Sequence, residues 1–295
     1  MRRKRCIAPT SHPDDQLGRP AERPGVFIMP DIGKIATLHS ATRVWAVGAV
    51  HGDHERLAAL HDMLAPRVMR GDRLVYLGND LGVGKTVRET VDELLRFRRI
   101  FLATGPYTDP GDVVFLRGAQ EEMWHKLLQL QFASNPADVL RWVLDRGVDS
   151  TLRAYGGDPA DGFSCAESGP LALTRWTTRI RDRFRAEPGH ETLMSALKRA
   201  AVTADGQLLF VSTGVDVERP LLEQTDSFWW AGRCFTAIDG HYNGFRKIVR
   251  GYDPEHFGIK ETPYTVCLDG GCGFGGRLIA GCLAPDGRVL ETIDI

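Results

Sequence analysis

His51 stands in Val47-Gly48-Ala49-Val50-His51-Gly52-Asp53, where an apolar run breaks into a glycine-flanked loop. Strand exits of this kind are where binding and catalytic side chains collect. An imidazole there can ligate a metal or exchange a proton near neutral pH. A single ligand holds little metal, however, and a hydrogen-bonded histidine closing a strand is the simpler use. Asp53, His54 and Glu55 follow at once. They read either as a carboxylate–imidazole site or, more simply, as the cap of a helix whose free N–H groups a side-chain oxygen satisfies. Further exits are Gly78-Asn79-Asp80-Leu81-Gly82-Val83-Gly84, Leu116-Arg117-Gly118-Ala119-Gln120-Glu121 and Phe210-Val211-Ser212-Thr213-Gly214-Val215-Asp216. Arg250-Gly251-Tyr252-Asp253 and Leu268-Asp269-Gly270-Gly271-Cys272-Gly273-Phe274-Gly275-Gly276 complete the set. Glycine at these points lets the backbone turn tightly and lie close to an anion. Gly84-Lys85-Thr86 ends like a phosphate-binding loop, but Asn79 occupies the position where that motif needs its first glycine, so the reading fails. Arg250 could offer a guanidinium to an anion. Trp229 and Trp230 could stack a base, although core and lid packing is the commoner use of such a pair.

Taken in order, these segments resemble the motifs of the phosphoprotein phosphatase branch of the calcineurin-like metallophosphoesterases. That branch includes bacterial Ser/Thr phosphatases and symmetric diadenosine tetraphosphatases, and the likeness runs over roughly residues 43–287. The family reads G-D-x-H-G, G-D-x-x-D-R-G, L-R-G-N-H-E, F-V-H-A-G-x-D, H-G-H-T and L-D-T-G-x-x-x-G-G. Glu218-Arg219-Pro220-Leu221 and Gln224 are also family-like. The resemblance implies an α/β four-layer sandwich, two mixed sheets flanked by helices. It also implies a hydrolase of phosphoric esters with a Mn or Fe/Zn pair, about 4 Å apart, that generates a hydroxide nucleophile.

The chemistry departs from that pattern. Of the ligand positions the resemblance implies, Ala49, His51, Asn79, Ala119, Ser212 and Tyr252, only His51 keeps a family ligand. Divalent metals of this type need oxygen and imidazole donors, with a carboxylate bridging them. The position implied for the proton donor is Gln120, which has no proton to exchange. Its aspartate partner is Gly82, and the phosphate-gripping arginine is Val83. Outer contacts to metal ligands alone are worth about 10 to 100-fold in affinity or activity, so loss of this many direct ligands predicts no cofactor. The expected function is that of a catalytically impaired, phosphatase-like protein, a pseudophosphatase, that binds a protein or a phosphorylated ligand. The alternative is an active Ser/Thr phosphatase or dinucleoside tetraphosphatase with rearranged ligands drawn from Asp80, Asp53, His54 and His241, or from His51, His241 and His256. A nucleotide sensor using Arg250 and the tryptophans is a third reading. Glu121 is assigned a structural role, and Asp80, by alternation, an outward direction.

The elements that must hold these residues follow from periodicity. Strands are predicted at Arg43 to Gly48, Asp72 to Leu77, Asp112 to Leu116, Leu208 to Ser212, Phe245 to Val249, Tyr264 to Leu268, Arg277 to Leu283 and Val289 to Ile293. Leu57, Leu60, His61 and Leu64 mark one helix, Val91, Leu94 and Leu95 a second, and Met123, Leu127 and Leu128 a third. Alternating strands and helices indicate β-α-β units. Residues from about 120 to 200 read as a helical insertion with a loop from Asp161 to Pro170, and the last strands read as a meander. Residues 1–40, basic and then rich in Pro and Gly, are expected to form a tail, and Met29 offers a second start.

Composition narrows the class. A net charge of -1 in 295 residues gives no argument for nucleic acid or a membrane surface. Cys6, Cys165, Cys234, Cys267, Cys272 and Cys282 contain no C-x-x-C pair. They are read as reduced thiols of a cytoplasmic protein, with a zinc site at the last three the lesser reading. No apolar run approaches the ~20 residues of a membrane helix.

Overall fold

The apolar runs become strands because each alternates its side chains between two faces that are both covered. The computed structural model describes residues 33–104 and 109–295. Strands β1 (Ile35–Leu38), β2 (Arg43–Val47), β3 (Asp72–Tyr76) and β4 (Val113–Phe115) precede a helical stretch. Strands β5 (Ala200–Thr203), β6 (Leu208–Val211), β7 (Lys247–Arg250), β8 (Lys260–Glu261), β9 (Thr265–Cys267), β10 (Ile279–Leu283) and β11 (Val289–Asp294) follow it. They form a six-stranded sheet ordered β1-β5-β6-β7-β9-β8 and a five-stranded sheet ordered β11-β10-β2-β3-β4. The sheets are mixed: β2, β3 and β4 run parallel, while β10 lies antiparallel to β2.

Val44, Ala46, Val75, Phe210, Val249 and Val266 fill the layer between the sheets. Their strand neighbours Trp45, Val47, Leu74 and Tyr76 turn outward into the helical layer. Helix α1 (His54–Leu64) presents Leu57, Leu60, His61 and Leu64 to that layer, and α2 (Val87–Ala103) presents Val91, Leu94 and Phe97. A buried histidine needs partners. His61 Nδ1 lies 2.5 Å from Glu93 Oε1 and Nε2 lies 2.8 Å from the Tyr76 hydroxyl, so one side chain joins α1, α2 and β3.

Between β4 and β5 the chain forms α3 (Ala119–Leu128), α4 (Pro136–Val143), α5 (Asp149–Ala154), α6 (Pro159–Glu167), α7 (Pro170–Ala186) and α8 (His190–Ala196). Short helices α9 (Ser227–Trp230) and α10 (Gly232–Phe235) lie between β6 and β7. Among the described residues no helix is long and apolar enough to cross a membrane.

Three sequence expectations change. Ile35–Leu38 pairs in parallel with β5, Ile35 opposite Ala200, so a tail cannot reach residue 40. Residues 1–32, including Cys6, Met29 and the basic run Met1 to Arg5, lie outside the described residues. The loop expected from Asp161 to Pro170 is in large part helix α6, capped by Asp158, which accepts from Ala160 N at 2.9 Å. Gly162 is there for contact rather than for breaking the helix, since a Cβ would sit 2.8 Å from the Trp176 ring. The final meander is a hairpin of β10 and β11 only, because β9 belongs to the other sheet. The glycine-rich segment 268–276 carries the chain from one sheet to the other.

Candidate functional site

The loops leaving β2, β3, β4, β6, β7 and β9 meet at the carboxyl ends of their strands, and backbone bonds lock them together. Ala49 N donates to Gly251 O (2.9 Å), His51 N to Asn79 O (2.8 Å) and Tyr252 N to Ser212 O (3.0 Å). Glu121 clasps two of the loops: its carboxylate accepts from Gly118 N (2.8 Å), Asn79 N (2.9 Å) and Leu81 N (3.0 Å). This is the structural role read from the sequence. All six positions of the expected ligand set are therefore brought together.

What they present does not suit a pair of cations. Ala49 and Ala119 have no donor atom. Asn79 Oδ1 is engaged by Gln120 N at 3.0 Å, which leaves Nδ2, an N–H donor, without a partner among the described residues. Ser212 Oγ and both ring nitrogens of His51 are likewise buried and unpartnered. Burial, helped by the neighbouring His256, lowers the His51 pKa to about 3, so the ring is neutral. Tyr252 stands edge-on to His51 at 5.4 Å and Phe274 at 5.1 Å, and His256 closes the group against both. Burial raises the Tyr252 phenol above its ordinary range. Among the described residues no three His, Cys, Asp or Glu side chains are grouped to hold a metal. The metal pair implied by the resemblance does not fit these residues.

The side that the resemblance would turn toward a phosphate is occupied by the helical insertion. Val83 N donates to Gly147 O (2.9 Å), Ser150 Oγ to Val83 O (2.8 Å), Gly82 N to Thr151 Oγ1 (3.1 Å) and Gln120 Nε2 to Arg146 O (2.7 Å). The positions that would carry the aspartate, the arginine and the proton donor are all tied to residues 146–151. Val83 is held at φ 57°, a costly conformation for a β-branched residue that persists only where surroundings enforce it. Gly82, at φ 80°, has no room for a side chain: a Cβ would overlap Gln120 Oε1.

The rearranged ligand set is not assembled. Asp53 caps α1, accepting from Arg56 N at 3.1 Å, and pairs with the Arg56 guanidinium at 2.5 Å. His54 N donates to Thr86 Oγ1. His241 lies at the opposite ends of the strands, beside Gln207 and Arg246, with Nδ1 3.1 Å from Phe245 O. The outward direction expected for Asp80 is wrong. It is fully buried, both its oxygens lack partners among the described residues, and burial together with the nearby Glu121 pushes its pKa well above the carboxylate range.

The nucleotide-sensor reading loses its anion grip. Arg250 is 1% exposed: Nη2 meets Asp253 Oδ2 at 2.6 Å, Nη1 donates to Gly232 O, Nε faces Cys267 Sγ, and the plane lies 4.3 Å from the Phe235 ring centre. Trp229 is core, while Trp230 packs at 5.9 Å on Trp142 of the insertion. The described cysteines are unbridged. Sequence reasoning missed the pairing of His256 Nδ1 with Asp269 Oδ2 at 2.7 Å and the closure by residues 146–151. The family-like Leu268-Asp269-Gly270 pointed to the carboxylate, but nothing in the spacing pointed to its histidine.

No family model matches the sequence, and no curated protein does. Solved structures do. A protein assigned as a diadenosine tetraphosphatase superposes with a TM-score of 0.50 at 20% identity, covering 88% of this chain and 97% of that one. A serine/threonine phosphatase from Saccharomyces cerevisiae with similarity to human PP5 gives 0.50 at 12%, covering 89% and 82%. A cold-active protein tyrosine phosphatase gives 0.50 at 13%, covering 94% and 87%. At such identities the likeness establishes the fold, the calcineurin-like phosphoesterase sandwich.

Proposed function

We propose that this chain uses the metallophosphoesterase fold for binding a protein or a phosphorylated ligand and not for hydrolysis, as a pseudophosphatase. One observation carries the reading: the six positions that the resemblance assigns to two cations come together, yet they supply one neutral imidazole, two neutral hydroxyls and an amide that leaves its N–H, not its oxygen, free. The closure of the phosphate-facing side by Arg146, Gly147, Ser150 and Thr151 supports it independently. A two-metal mechanism needs charged donors that offset the mutual repulsion of the ions, and none of the six implied positions carries a carboxylate.

The test is hydrolysis of p-nitrophenyl phosphate and of diadenosine tetraphosphate by purified protein in manganese. We expect rates equal to those of a His51→Ala variant and of buffer. A manganese-dependent rate that His51→Ala abolishes would restore the enzyme reading. Metal analysis of the same preparation provides a second readout: far below one equivalent of manganese, iron or zinc is expected, because a site short of ligands holds metal weakly.

A further inference from the structure

A groove outside the strand-end loops has the chemistry of a ligand site. It lies between α3, α7 and α8 and encloses about 450 Å³, within the roughly 300–1,000 Å³ typical of small-molecule sites. Its wall is aromatic and aliphatic, chiefly Trp124, Phe184 and Met194. Phe132 stands at the mouth, 80% exposed.

The charge around this apolar wall is unbalanced. Arg117, Arg181 and Arg185 line it against Glu121 and Glu191. Glu121 is spent on the backbone N–H groups of Gly118, Asn79 and Leu81, and Glu191 on Arg185. Arg117 has Glu122, which also serves Lys126. Arg181 donates to Leu128 O at 2.9 Å and has no acidic partner among the described residues. A second observation is independent of charge: the Nε1–H of Trp124 is buried and has no hydrogen-bond acceptor among the described residues. A buried indole normally finds one.

We propose that this groove binds a small ligand with an aromatic body and one anionic group, a carboxylate or a phosphate. The ring system packs on Trp124 and Phe184, the anion pairs with Arg181, and an acceptor on the ligand meets Trp124 Nε1. A guanidinium suits carboxylate and phosphate alike. The site does not depend on whether the strand-end loops hydrolyse anything.

The test is calorimetric titration, in EDTA, with 2-naphthoate, 2-naphthyl phosphate, neutral 2-naphthol and inorganic phosphate. Binding of at least one of the two naphthyl anions with a Kd below about 1 mM is expected, with 2-naphthol and inorganic phosphate each at least tenfold weaker. The tighter of the two anions identifies the headgroup. Arg181→Glu should weaken binding at least tenfold with the melting temperature unchanged. Trp124→Phe, which keeps the ring and removes the donor, should weaken it about threefold. Should Arg181→Glu not fold, Arg185→Glu on the exposed face of α7 serves as the charge reversal. Equal affinity for 2-naphthol and the anions, indifference to the charge reversal, or no binding of either anion would overturn the proposal.

Discussion

Asp80 is a carboxylic acid whose protonated form the fold favours. It is fully buried without a side-chain hydrogen bond among the described residues, while its neighbour Glu121 accepts three backbone N–H groups and is the better holder of charge. Its folded pKa is raised above the ordinary carboxylate value. The native state therefore binds the extra proton, and stability falls as pH rises through the interval above about 4. Asp80→Asn keeps the shape and cannot ionise. Urea unfolding at pH 5 and pH 8 should show the parent losing at least about 1 kcal/mol relative to the variant over that range; a constant gap would mean Asp80 is not the group responsible. His51 runs the other way. Its pKa is lowered to about 3, so the unfolded chain takes the proton first and stability is lost as pH falls from about 6.5 toward 3.

The connection that matters among the elements is between the β3 exit and the turn joining α4 to α5. Three hydrogen bonds join Gly82 and Val83 to Gly147 of that turn and to Ser150 and Thr151 at the start of α5, a fourth ties Gln120 of α3 to Arg146 O, and one, Gly82 N to Thr151 Oγ1, is buried. Thr151→Val preserves the outline of the side chain and leaves that N–H unpaired, which costs about 1–3 kcal/mol. We expect the loss in chemical denaturation. Faster amide hydrogen exchange should appear at residues 82–84 and 147–151 and not in β2 or β3. Uniform acceleration would show that the contact is not local.

The whole molecule should be indifferent to metal. A ligand that binds only the folded state raises the melting temperature by mass action, so millimolar manganese and EDTA should give the same midpoint within about 1 °C. A rise of several degrees in manganese would contradict the donor geometry. At this scale much was legible beforehand. Val44–Val47 of β2 and Leu74–Tyr76 of β3 are buried on both faces and so read as short apolar runs. The ligand positions were readable because each follows such a run. The closure was not, since Gly82 and Thr151 lie 69 residues apart and their contact leaves no local pattern. Nor was the fate of Arg250 read, although Asp253 stood three residues away. Asp80 misled because alternation along a strand does not continue into a loop that turns at Gly78 and Gly82.

Gly82 and Gln120 share a single volume, and this imposes an order on any attempt to place an aspartate and a histidine at the two positions. An aspartate at position 82 would meet the amide of residue 120 before it met anything it could serve. A histidine placed at 120 first would still have to clear Arg146 O, the acceptor that holds the glutamine amide. Such a pair could be accommodated only by moving both residues and the turn above them in concert.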